Sequence, residues 1–363
     1  MFYISLIEGY VKIKVVRTCC RDLMKKVVIL GASGYTGAEL VKILAGHNYF
    51  EIEALVADRK AGQPYERVFP HLRHLGLPKL VALTEVNFGN VDLVFGALPH
   101  ATTQTVLLDL PKTLRIIDLS ADFRLYDTSK YEEWYKMPHM APNLQKEAVY
   151  GLTEFYRDKI KSARIVACTG CNSAAGLLPL LPLVAKNIID HSNIIVDLAT
   201  GVSGAGRSPN ENMLHSEISE SFSAYKVAQH RHLAEFDQEL SKMAGEKIEI
   251  TFTPHLIPQN RGILATIYVT GSAEAIYHEL TVTYENEPFV IVLPFGEIPS
   301  TKHVRGSNYC HIGVAQDRSS KKAILFSAID NLTKGSAGQA VQNANLMFGF
   351  KETESLMMAP LYP

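Results

Sequence analysis

Short apolar runs alternate with helical patterns through the first half of the chain. The run VVIL at 27–30 predicts a buried strand, and the residues after it place Leu40, Val41 and Leu44 on one face of a helix. Similar strand patterns follow in FEIEALVADR, VDLVFG and LRIIDL, and a helical pattern follows VDLVFG. Strands that alternate with helices predict a parallel sheet, which binds ligands at the carboxyl ends of its strands. The polar segments ALPH and SADFR, which follow two of these strands, are therefore expected at the mouth of a site.

The second half of the chain carries a different pattern. ARIVACTGC predicts one more strand that ends in a turn at Cys171, and the apolar segment NSAAGLLPLLPLVAKNII after it is helix-like. Pro179 and Pro182 are expected to kink this helix or to delay its start. Farther on, KIEITFTPHLIPQNRGILATIYV predicts two strands around a turn, and with EPFVIVL it indicates a mostly antiparallel sheet. The segment 328–350 predicts a helix punctuated by glycines.

Length and composition narrow the class of protein. A chain of 363 residues is too long for one ordinary core, so we expect two domains. A net charge of −1, with no basic patch that interleaves aromatic residues, argues against nucleic acid or an anionic membrane as partner. Residues 1–23 lack the features of a signal or transit peptide and are expected to lie outside the main fold. The 5 cysteines do not form a disulfide scaffold, which favours a reducing compartment.

A glycine-rich turn joins the first strand to its helix. Gly31, Gly34 and Gly37 have the spacing G-x-x-G-x-x-G, which differs from the G-x-G-x-x-G of many dinucleotide-binding enzymes. Such a turn lets backbone amides approach a diphosphate, and the helix start adds partial positive charge. A turn that binds nothing is the alternative, but strand, turn and helix occur here in the right order. At the end of the second strand, Asp58 would favour the 2′-hydroxyl of NAD and Arg59 the 2′-phosphate of NADP. We favour NADP; a solvated surface pair is the alternative.

Two cysteines lie three residues apart in ACTGCN. Cys171 follows a strand and precedes an expected helix, a position that lowers the pKa of a thiol and favours a nucleophile. Cys168 lies at the end of the strand and is expected to be buried. A structural zinc site needs a second pair of ligands, which the sequence does not supply. A thioredoxin-like redox couple stays open, but it leaves the glycine turn unexplained.

The segment after this helix supplies candidate acid–base and anion-binding residues. His230 and His232 flank an arginine just before a helix, which suits acid–base work better than a lone histidine does. A metal role for the two histidines lacks a third ligand nearby. Arg207 ends the polar loop GVSGAGR, and Arg261 lies at the turn between two predicted strands.

Together these segments resemble the N-acetyl-gamma-glutamyl-phosphate reductase family, part of the wider semialdehyde dehydrogenase group. The matching motifs run in order from about residue 25 to 350: GASGYTGAEL, ALPH, SADFR, YGLTE, GVSGAGR, HRH-xx-E, FTPHLIPQNRGIL, GSNYCHIGV and DNLTKGSAGQAVQNANLMFG. The family's cysteine motif usually reads Asn-Pro-Gly-Cys followed by an aromatic residue. Cys171 therefore takes the nucleophile's place, Cys168 stands where the family has asparagine, and Asn172 replaces the aromatic residue. Thr153 stands where the family usually has proline.

The resemblance implies an α/β fold. A Rossmann-type parallel-sheet cofactor domain is joined to an α+β catalytic and oligomerisation domain with a mostly antiparallel sheet. In this chain the implied division is 1–24 for an N-terminal extension, 25–167 with 328–363 for the NADP-binding domain, and 168–327 for the catalytic domain. The resemblance also implies NADP as cofactor, no metal, a homodimer or homotetramer, and a cytoplasmic location.

The implied reaction is the NADPH-dependent reduction of N-acetyl-gamma-glutamyl phosphate to N-acetylglutamate semialdehyde and phosphate, in arginine biosynthesis. Cys171 attacks the acyl phosphate to form a thioester. His230 shuttles the proton, with His232 as the alternative, and backbone amides near Asn172 hold the developing oxyanion.

The implied substrate carries a phosphate and a carboxylate, which arginine binds in a bidentate manner. The expected substrate-binding residues are Arg124, Arg207, Arg261, Asn172 and Ser120. Any of the arginines could instead form a surface or interdomain ion pair. The expected cofactor-binding residues are Gly31, Ser33, Gly34, Tyr35, Thr36, Gly37, Arg59, Ala97, Leu98, Pro99, Gly204 and Asn331.

Two other functions stay open at this point. The step from Cys171 to Asn172 is similar to relatives that reduce a glutamyl or aminoadipyl phosphate held on an amino-group carrier protein, whereas FTPHLIPQNRGIL favours the arginine-pathway enzyme. A non-catalytic NADP-binding regulator would keep the glycine turn but would not need Cys171 together with His230.

Overall fold

The computed structural model describes residues 2–7, 10–15 and 24–362, the first two ranges as backbone only. Those two ranges are antiparallel strands, β1 (Phe2–Ile7) and β2 (Tyr10–Val15), which form a sheet of their own. Apart from these strands and Met24, the extension expected over residues 1–24 lies outside the described residues. No described helix is long and apolar enough to cross a membrane.

The first large sheet is fully parallel, as the alternating pattern predicts. Its strand order is β5-β4-β3-β6-β7-β9-β8. The strands are β3 (Lys25–Leu30), β4 (Phe50–Val56), β5 (Leu80–Val81), β6 (Leu93–Gly96), β7 (Arg115–Asp118), β8 (Ala148–Tyr150) and β9 (Ile165–Ala167). The helices among them are α1 (Tyr35–Leu44), α2 (Tyr65–Val68), α3 (Thr103–Leu108), α4 (Thr128–Tyr135), α5 (Pro142–Gln145) and α6 (Thr153–Ser162). The chain builds the sheet outward from β3 in one direction through β4 and β5, and then in the other direction from β6 onward. Where the direction changes, between β3 and β6, a crevice forms at the carboxyl ends of the two strands.

The second large sheet is mixed and mostly antiparallel, with the order β11-β12-β10-β13-β16-β15-β14. Its parallel pairs are β10 with β12 and β14 with β15. The strands are β10 (Ile195–Gly201), β11 (Ser223–Ala224), β12 (Thr251–Ile257), β13 (Ile263–Thr270), β14 (Val290–Val292), β15 (Cys310–Gln316) and β16 (Lys322–Ile329). The two strands predicted around Arg261 are β12 and β13, but they do not pair with each other because β10 lies between them.

Five further helices belong to the second half of the chain: α7 (Cys171–Ala185), α8 (His215–Ile218), α9 (Leu233–Ala244), α10 (Ala273–Tyr284) and α11 (Gly338–Met347). Helix α7 packs against α9, α10 and β13. Its apolar residues, among them Leu177 and Leu181, belong to one core cluster with Val27 of the first sheet and Ile267 of the second. This helix therefore joins the two sheets through a shared core.

Helix α7 begins at Cys171, so the expected late start caused by its two prolines is wrong. Pro182 has no N–H, which leaves the carbonyl of Leu178 without its helical donor. The hydroxyl of Tyr284 in α10 donates a hydrogen bond to that carbonyl. A partner from the neighbouring helix thus supplies the bond that proline removes.

The helix expected over 328–350 is shorter and begins later. Strand β16 continues to Ile329, a single π-helical turn spans Thr333–Ala337, and α11 follows directly. All ten residues of α11 are buried. The helix packs against α6 and α1, so it lies beside the parallel sheet.

Candidate active site

Cys171 lies where the sequence pattern places it, at the first turn of α7. Strand β9 ends at Ala167, and Gly170 forms the N-cap of the helix without a side-chain cap. The side chain of Cys171 lines a cavity of about 720 Å³. Its sulfur lies 3.6 Å from Oδ1 of Asn172. First-turn amides that lack a side-chain cap can donate hydrogen bonds to an oxygen at this wall of the cavity.

The cavity brings together residues that are distant in the chain. Among the residues expected at the site, Cys171, His230, His232, Arg124, Asn172 and Gly204 all line it. The segments after β6 and β7, the end of β10, the start of α7 and the segment before α9 supply its walls. The expected catalytic residues therefore share one compartment.

The expected low pKa of the Cys171 thiol is not observed. Burial raises the pKa to about 11, although the charge of Arg124 and the hydrogen bond from the backbone N–H of Asn172 both act to lower it. The loss of solvation at the cavity wall outweighs the favourable field of the helix start, because burial disfavours the charged form. The thiol is therefore neutral at physiological pH in this state of the protein.

His230 is held by its own chain segment. Its Nδ1 accepts the backbone N–H of His232 at 3.1 Å, which places the proton of the neutral ring on Nε2. That Nε2 lies 3.5 Å from the hydroxyl of Tyr225, another cavity residue. Burial, with the charges of Lys226 and Arg231, lowers the pKa of His230 to about 4.

His232 lies against the residue that precedes the cysteine. A Cβ atom on Gly170 would come within 2.4 Å of Nε2 of His232, so only glycine fits there. Nδ1 of His232 is buried without a hydrogen-bond partner among the described residues. Burial and the neighbouring His230 lower its pKa well below the usual value. Both histidines thus line the cavity together with Cys171.

Sequence reasoning did not assign a role to Glu235, although it is the last residue of the motif HRH-xx-E. Its carboxylate is fully buried and accepts the N–H of Gly170 at 2.9 Å and the hydroxyl of Tyr150 at 2.8 Å. It also pairs with Arg124 at 3.3 Å and lies 3.9 Å from Nε2 of His232. The spacing from His232 to Glu235, one helical turn, was the signal in the sequence.

Arg124 lines the cavity and is also part of this buried network. Its Nε donates to the carbonyl of Cys168 at 2.7 Å and its Nη2 to the carbonyl of Leu119 at 3.1 Å. With Glu235 on Nη1, three of its five donors are used within the protein. The remaining donors are free to meet an anion in the cavity.

The structure places the other expected substrate-binding residues away from the cavity wall. Arg207 lies 4.6 Å above the ring of Phe69 and donates to the carbonyl of Ser33 at 3.1 Å. Arg261 pairs with Glu39 at 2.9 Å and with Asp330 at 3.4 Å. The buried hydroxyl of Ser120 donates to Asp118 at 2.8 Å. None of these three residues lines the cavity that holds Cys171, and each has a partner elsewhere in the fold. Their role in binding the substrate stays a prediction.

The glycine turn has the shape that a diphosphate requires. Gly31 adopts a φ of +78°, and a Cβ atom there would lie 2.1 Å from the carbonyl oxygen of Ala97. Gly34 is the N-cap of α1 with no side-chain cap, and the first turn holds no acidic residue. The turn and the ALPH segment therefore meet at the crevice between β3 and β6, where Ser33, Tyr35, Thr36, Gly37, Leu98 and Pro99 also lie.

Three expected cofactor contacts lie farther from the turn. Arg59 is exposed in a short 3₁₀ turn after β4, while Asp58 accepts the backbone N–H of Leu83 at 3.3 Å. Asn331 is buried, donates to Ser203 at 2.9 Å and accepts the N–H of Gly262 at 2.9 Å. Gly204 lies beside it. The exposed Arg59 can bind a phosphate group. The side chain of Asn331 instead links the loop that contains Ser203 to the loop that contains Gly262.

The π-helical turn before α11 is a further feature that sequence reasoning missed. A Cβ atom on Gly335 would lie 2.8 Å from Cβ of Cys171. The neighbouring Lys334 is fully buried and pairs with Glu154 at 2.5 Å. π turns occur frequently at functional sites. The π-helical turn therefore packs directly against Cys171 and leaves no room for a side chain at Gly335.

Comparison with known proteins identifies the family of the chain. It is 60% identical over 338 residues to the N-acetyl-gamma-glutamyl-phosphate reductase of Roseobacter denitrificans, covering 93% of this chain and 99% of that one. It is likewise 60% identical over 339 residues to the enzyme of that name from Ruegeria pomeroyi, with the same shares covered. The chain belongs to the N-acetyl-gamma-glutamyl-phosphate reductase family. Residues 26–163 of this reductase-family chain match the semialdehyde dehydrogenase NAD binding domain, and residues 171–331 match the semialdehyde dehydrogenase dimerisation domain.

Solved structures confirm the fold class predicted for the reductase family. Aspartate semialdehyde dehydrogenase II from Vibrio cholerae superposes with a TM-score of 0.67 at 17% identity, covering 89% of this chain and 98% of that one. Aspartate semialdehyde dehydrogenase with NADP from Candida albicans gives a TM-score of 0.63 at 18% identity and the same coverage.

Proposed function

We propose that the protein reduces N-acetyl-gamma-glutamyl phosphate to N-acetylglutamate semialdehyde and phosphate with NADPH, as a step of arginine biosynthesis. One observation carries this proposal. Cys171, at the start of α7, lines the same cavity as His230, His232 and Arg124. The chain that holds this cavity is 60% identical to a reductase of that name. The relatives' names favour the free N-acetylated substrate over one held on a carrier protein.

The crevice at the carboxyl ends of β3 and β6 suits NADP. The left-handed backbone at Gly31 and the uncapped start of α1 leave room and N–H donors for a diphosphate. Arg59, exposed after β4, is the proposed contact of the 2′-phosphate, since Asp58 already accepts a backbone N–H. The cofactor, when bound, supplies the hydride. Arg207 donates a hydrogen bond to the carbonyl of Ser33, so its proposed role is to hold the glycine turn in place rather than to bind the substrate.

The covalent step is assigned to Cys171. Its sulfur attacks the acyl carbon, the bond from that carbon to the phosphate oxygen breaks, and phosphate leaves with the electron pair. The thioester keeps the acyl group at the level of a carboxylic acid but protects it from water. Uncapped amides at the start of α7, beside Asn172, can hold the oxygen that becomes negative.

His230 is the proposed proton carrier. It takes the proton of the thiol before attack, which requires the ring to turn from the backbone N–H of His232 so that its unprotonated nitrogen faces the sulfur. It gives that proton to the oxygen of the reduced thioester and, in the final step, moves the hydroxyl proton to the sulfur as the thiohemiacetal collapses to aldehyde and thiol. A neutral ring with its pKa near 4 is a weak base. The negative charge of a bound acyl phosphate raises that pKa, because an opposite charge favours the imidazolium. Substrate binding is therefore expected to activate the pair of Cys171 and His230.

The oligomeric state and the location follow the family. The match of residues 171–331 to a dimerisation domain supports a homodimer or homotetramer. The free thiols of Cys168, Cys171 and Cys310 are in keeping with the cytoplasm.

The reverse reaction provides the test of this function. Purified protein is mixed with N-acetylglutamate semialdehyde, NADP and inorganic phosphate, and NADPH is followed by absorbance. The proposal predicts phosphate-dependent NADPH formation that is lost in Cys171→Ser. Activity that appears only with a carrier-linked semialdehyde would favour the carrier-protein reductase. Binding of NADP without turnover of either aldehyde would favour the regulator.

A further inference from the structure

The π-helical turn at Thr333–Ala337 packs against two helices, α1 at the cofactor crevice and α7, which begins at Cys171. On one side, a Cβ atom on Gly335 would lie 2.8 Å from Cβ of Cys171. On the other side, the hydroxyl of Ser336 lies 3.3 Å from the hydroxyl of Thr36, in the first turn of α1. The turn therefore lies between the helix start proposed to hold the diphosphate and the residue proposed to hold the acyl group.

Asp330 anchors the segment that leads into this turn. Its carboxylate is fully buried and accepts three backbone N–H groups, those of Leu332 at 2.8 Å, Thr333 at 3.1 Å and Gly306 at 2.6 Å. A buried polar group whose partners are all in place makes the backbone around it rigid. The carboxylate of Asp330 thus holds the π-helical turn in one position.

Arg261 joins this anchor to the cofactor helix. Its guanidinium pairs with Glu39, on α1, at 2.9 Å and with Asp330 at 3.4 Å. The three side chains are only 0% to 17% exposed, so dissolved salt screens their charges little. Neither contact has hydrogen-bond geometry, so the link is electrostatic. The second oxygen of Glu39 pairs with Lys42 at 3.5 Å, within the same helix.

The relative position of α1 and the π-helical turn bears on one chemical step in particular. Reacting atoms must approach to about 3 to 3.5 Å, and a misplacement of about 1 Å can cost about 100-fold in rate. The hydride donor is proposed to bind at the start of α1, and the hydride acceptor is the acyl carbon on Cys171. Transfer of the acyl group to the thiol does not involve the donor. A link between the two elements is therefore expected to affect hydride transfer and to leave acyl transfer unchanged.

We propose that Arg261 is a positioning residue for hydride transfer, because its ion pairs with Glu39 and Asp330 fix the cofactor helix relative to the acyl group on Cys171. The inference rests on the proposed function. The hydroxyl contact between α1 and the π-helical turn forms a second link between the same elements. Arg261 does not line the cavity that holds Cys171, so it acts through these elements. This role differs from the substrate contact that the sequence predicts for Arg261.

Two half-reactions separate the two roles. With NADP in place of NADPH the thioester cannot be reduced, so the enzyme only exchanges radiolabelled phosphate into N-acetyl-gamma-glutamyl phosphate. In this exchange the sulfur displaces one phosphate, and a labelled phosphate then displaces the sulfur. With NADPH that carries deuterium as the transferred hydrogen, the isotope effect reports how far hydride transfer limits the rate. Arg261→Met is expected to lower kcat for reduction about tenfold and to raise the isotope effect, with the exchange rate and the KM for the acyl phosphate unchanged.

Three further variants complete the test. Arg261→Lys keeps a charge between the two carboxylates and should recover part of the lost kcat. Glu39→Gln breaks the link from the cofactor side and leaves Asp330 paired, so it should reproduce the loss; if Arg261→Met does not fold, this variant decides. Arg164→Met removes the ion pair of a similarly exposed arginine with Glu147, at 2.9 Å, and is the matched control. It should leave both half-reactions unchanged.

Four other results would overturn the inference. A fall in exchange as large as the fall in reduction would show a general effect on the site. A rise confined to the KM for the acyl phosphate or for NADPH would assign Arg261 to binding of that ligand. Unchanged kcat in Arg261→Met would leave it no positioning role. A wild-type protein that catalyses neither half-reaction would contradict the proposed function and this inference with it, whereas the first three results leave the proposed function intact.

Discussion

The buried carboxylate of Glu235 accepts the backbone N–H of Gly170, the residue just before the cysteine, at 2.9 Å. The same carboxylate pairs with Arg124 at 3.3 Å and accepts the hydroxyl of Tyr150 at 2.8 Å. One side chain thus fixes the start of α7 and neutralises the arginine at the cavity wall.

Glu235→Gln is expected to destabilise the protein more than the loss of one neutral hydrogen bond would. The substitution leaves Arg124 buried without its counter-charge, which costs about 3 kcal/mol. Tyr150→Phe removes one hydrogen bond that is donated to the same carboxylate, leaves the charge of Glu235 in place, and is expected to cost about 1.5 kcal/mol. Urea unfolding of the two variants measures the difference. Equal losses in the two variants would show that the charge of Glu235 is not needed.

Gly335→Ala tests the close packing behind the cysteine. A Cβ atom there lies 2.8 Å from Cβ of Cys171 and 3.3 Å from Cδ1 of Ile329, so the start of α7 must shift. Overpacking of this kind costs about 1 to 3 kcal/mol. We expect a fall in kcat of at least about tenfold, because catalysis depends on placement of the nucleophile to within an ångström. Gly46→Ala, at a position whose nearest neighbour lies 3.9 Å away, is the control. Equal kcat in the two variants would contradict this role of Gly335.

Arg59→Gln tests the choice of cofactor. If the exposed Arg59 meets the 2′-phosphate, the KM for NADPH should rise about tenfold, which is the loss of one charge-assisted contact. The KM for NADH, which lacks that phosphate, should stay the same. Arg318→Gln is the matched control at a remote exposed site. An equal rise for both cofactors would assign Arg59 to another part of the nucleotide.

The raised pKa of Cys171 predicts how its reactivity depends on pH. Only the thiolate reacts with iodoacetamide, and burial sets the thiol pKa at about 11. The alkylation rate at Cys171 should therefore climb steadily from pH 7 to pH 10 without a plateau. Peptide mass spectrometry distinguishes Cys171 from the buried Cys168 and Cys310. A plateau below pH 8 would mean that the thiol is already activated before substrate binds.

Much of the fold follows from local pattern. The glycine turn, the strand before Cys171 and the helix after it are fixed by short-range order of apolar and small residues, and these predictions are confirmed by β3, β9 and α7. The partners of each side chain depend on residues far away in the chain. In the sequence, Arg261 is a positively charged residue at a turn that could bind an anion. In the structure it forms ion pairs with Glu39 and Asp330, which belong to two other segments of the chain.

The pKa of the Cys171 thiol also depends on residues far away in the chain. The sequence reveals that Cys171 begins a helix, which lowers a thiol pKa. It does not reveal that Gly335, more than 150 residues later, lies so close that a Cβ atom there would come within 2.8 Å of Cβ of Cys171. Burial of the thiol reverses the direction of the shift. Local sequence thus identifies the nucleophile, whereas its protonation state depends on tertiary packing.

The central claim is that the acyl group passes through a thioester on Cys171. The direct measurement mixes the protein with N-acetylglutamate semialdehyde and NADP in the absence of phosphate, then follows NADPH and the intact mass. The account predicts a burst of one NADPH per subunit, an N-acetylglutamyl adduct on the peptide that holds Cys171, and release of the adduct when phosphate is added. Cys171→Ser should show neither burst nor adduct, and Cys168→Ser should show both. Phosphate-dependent turnover by Cys171→Ser, or an adduct on a different residue, would contradict the account.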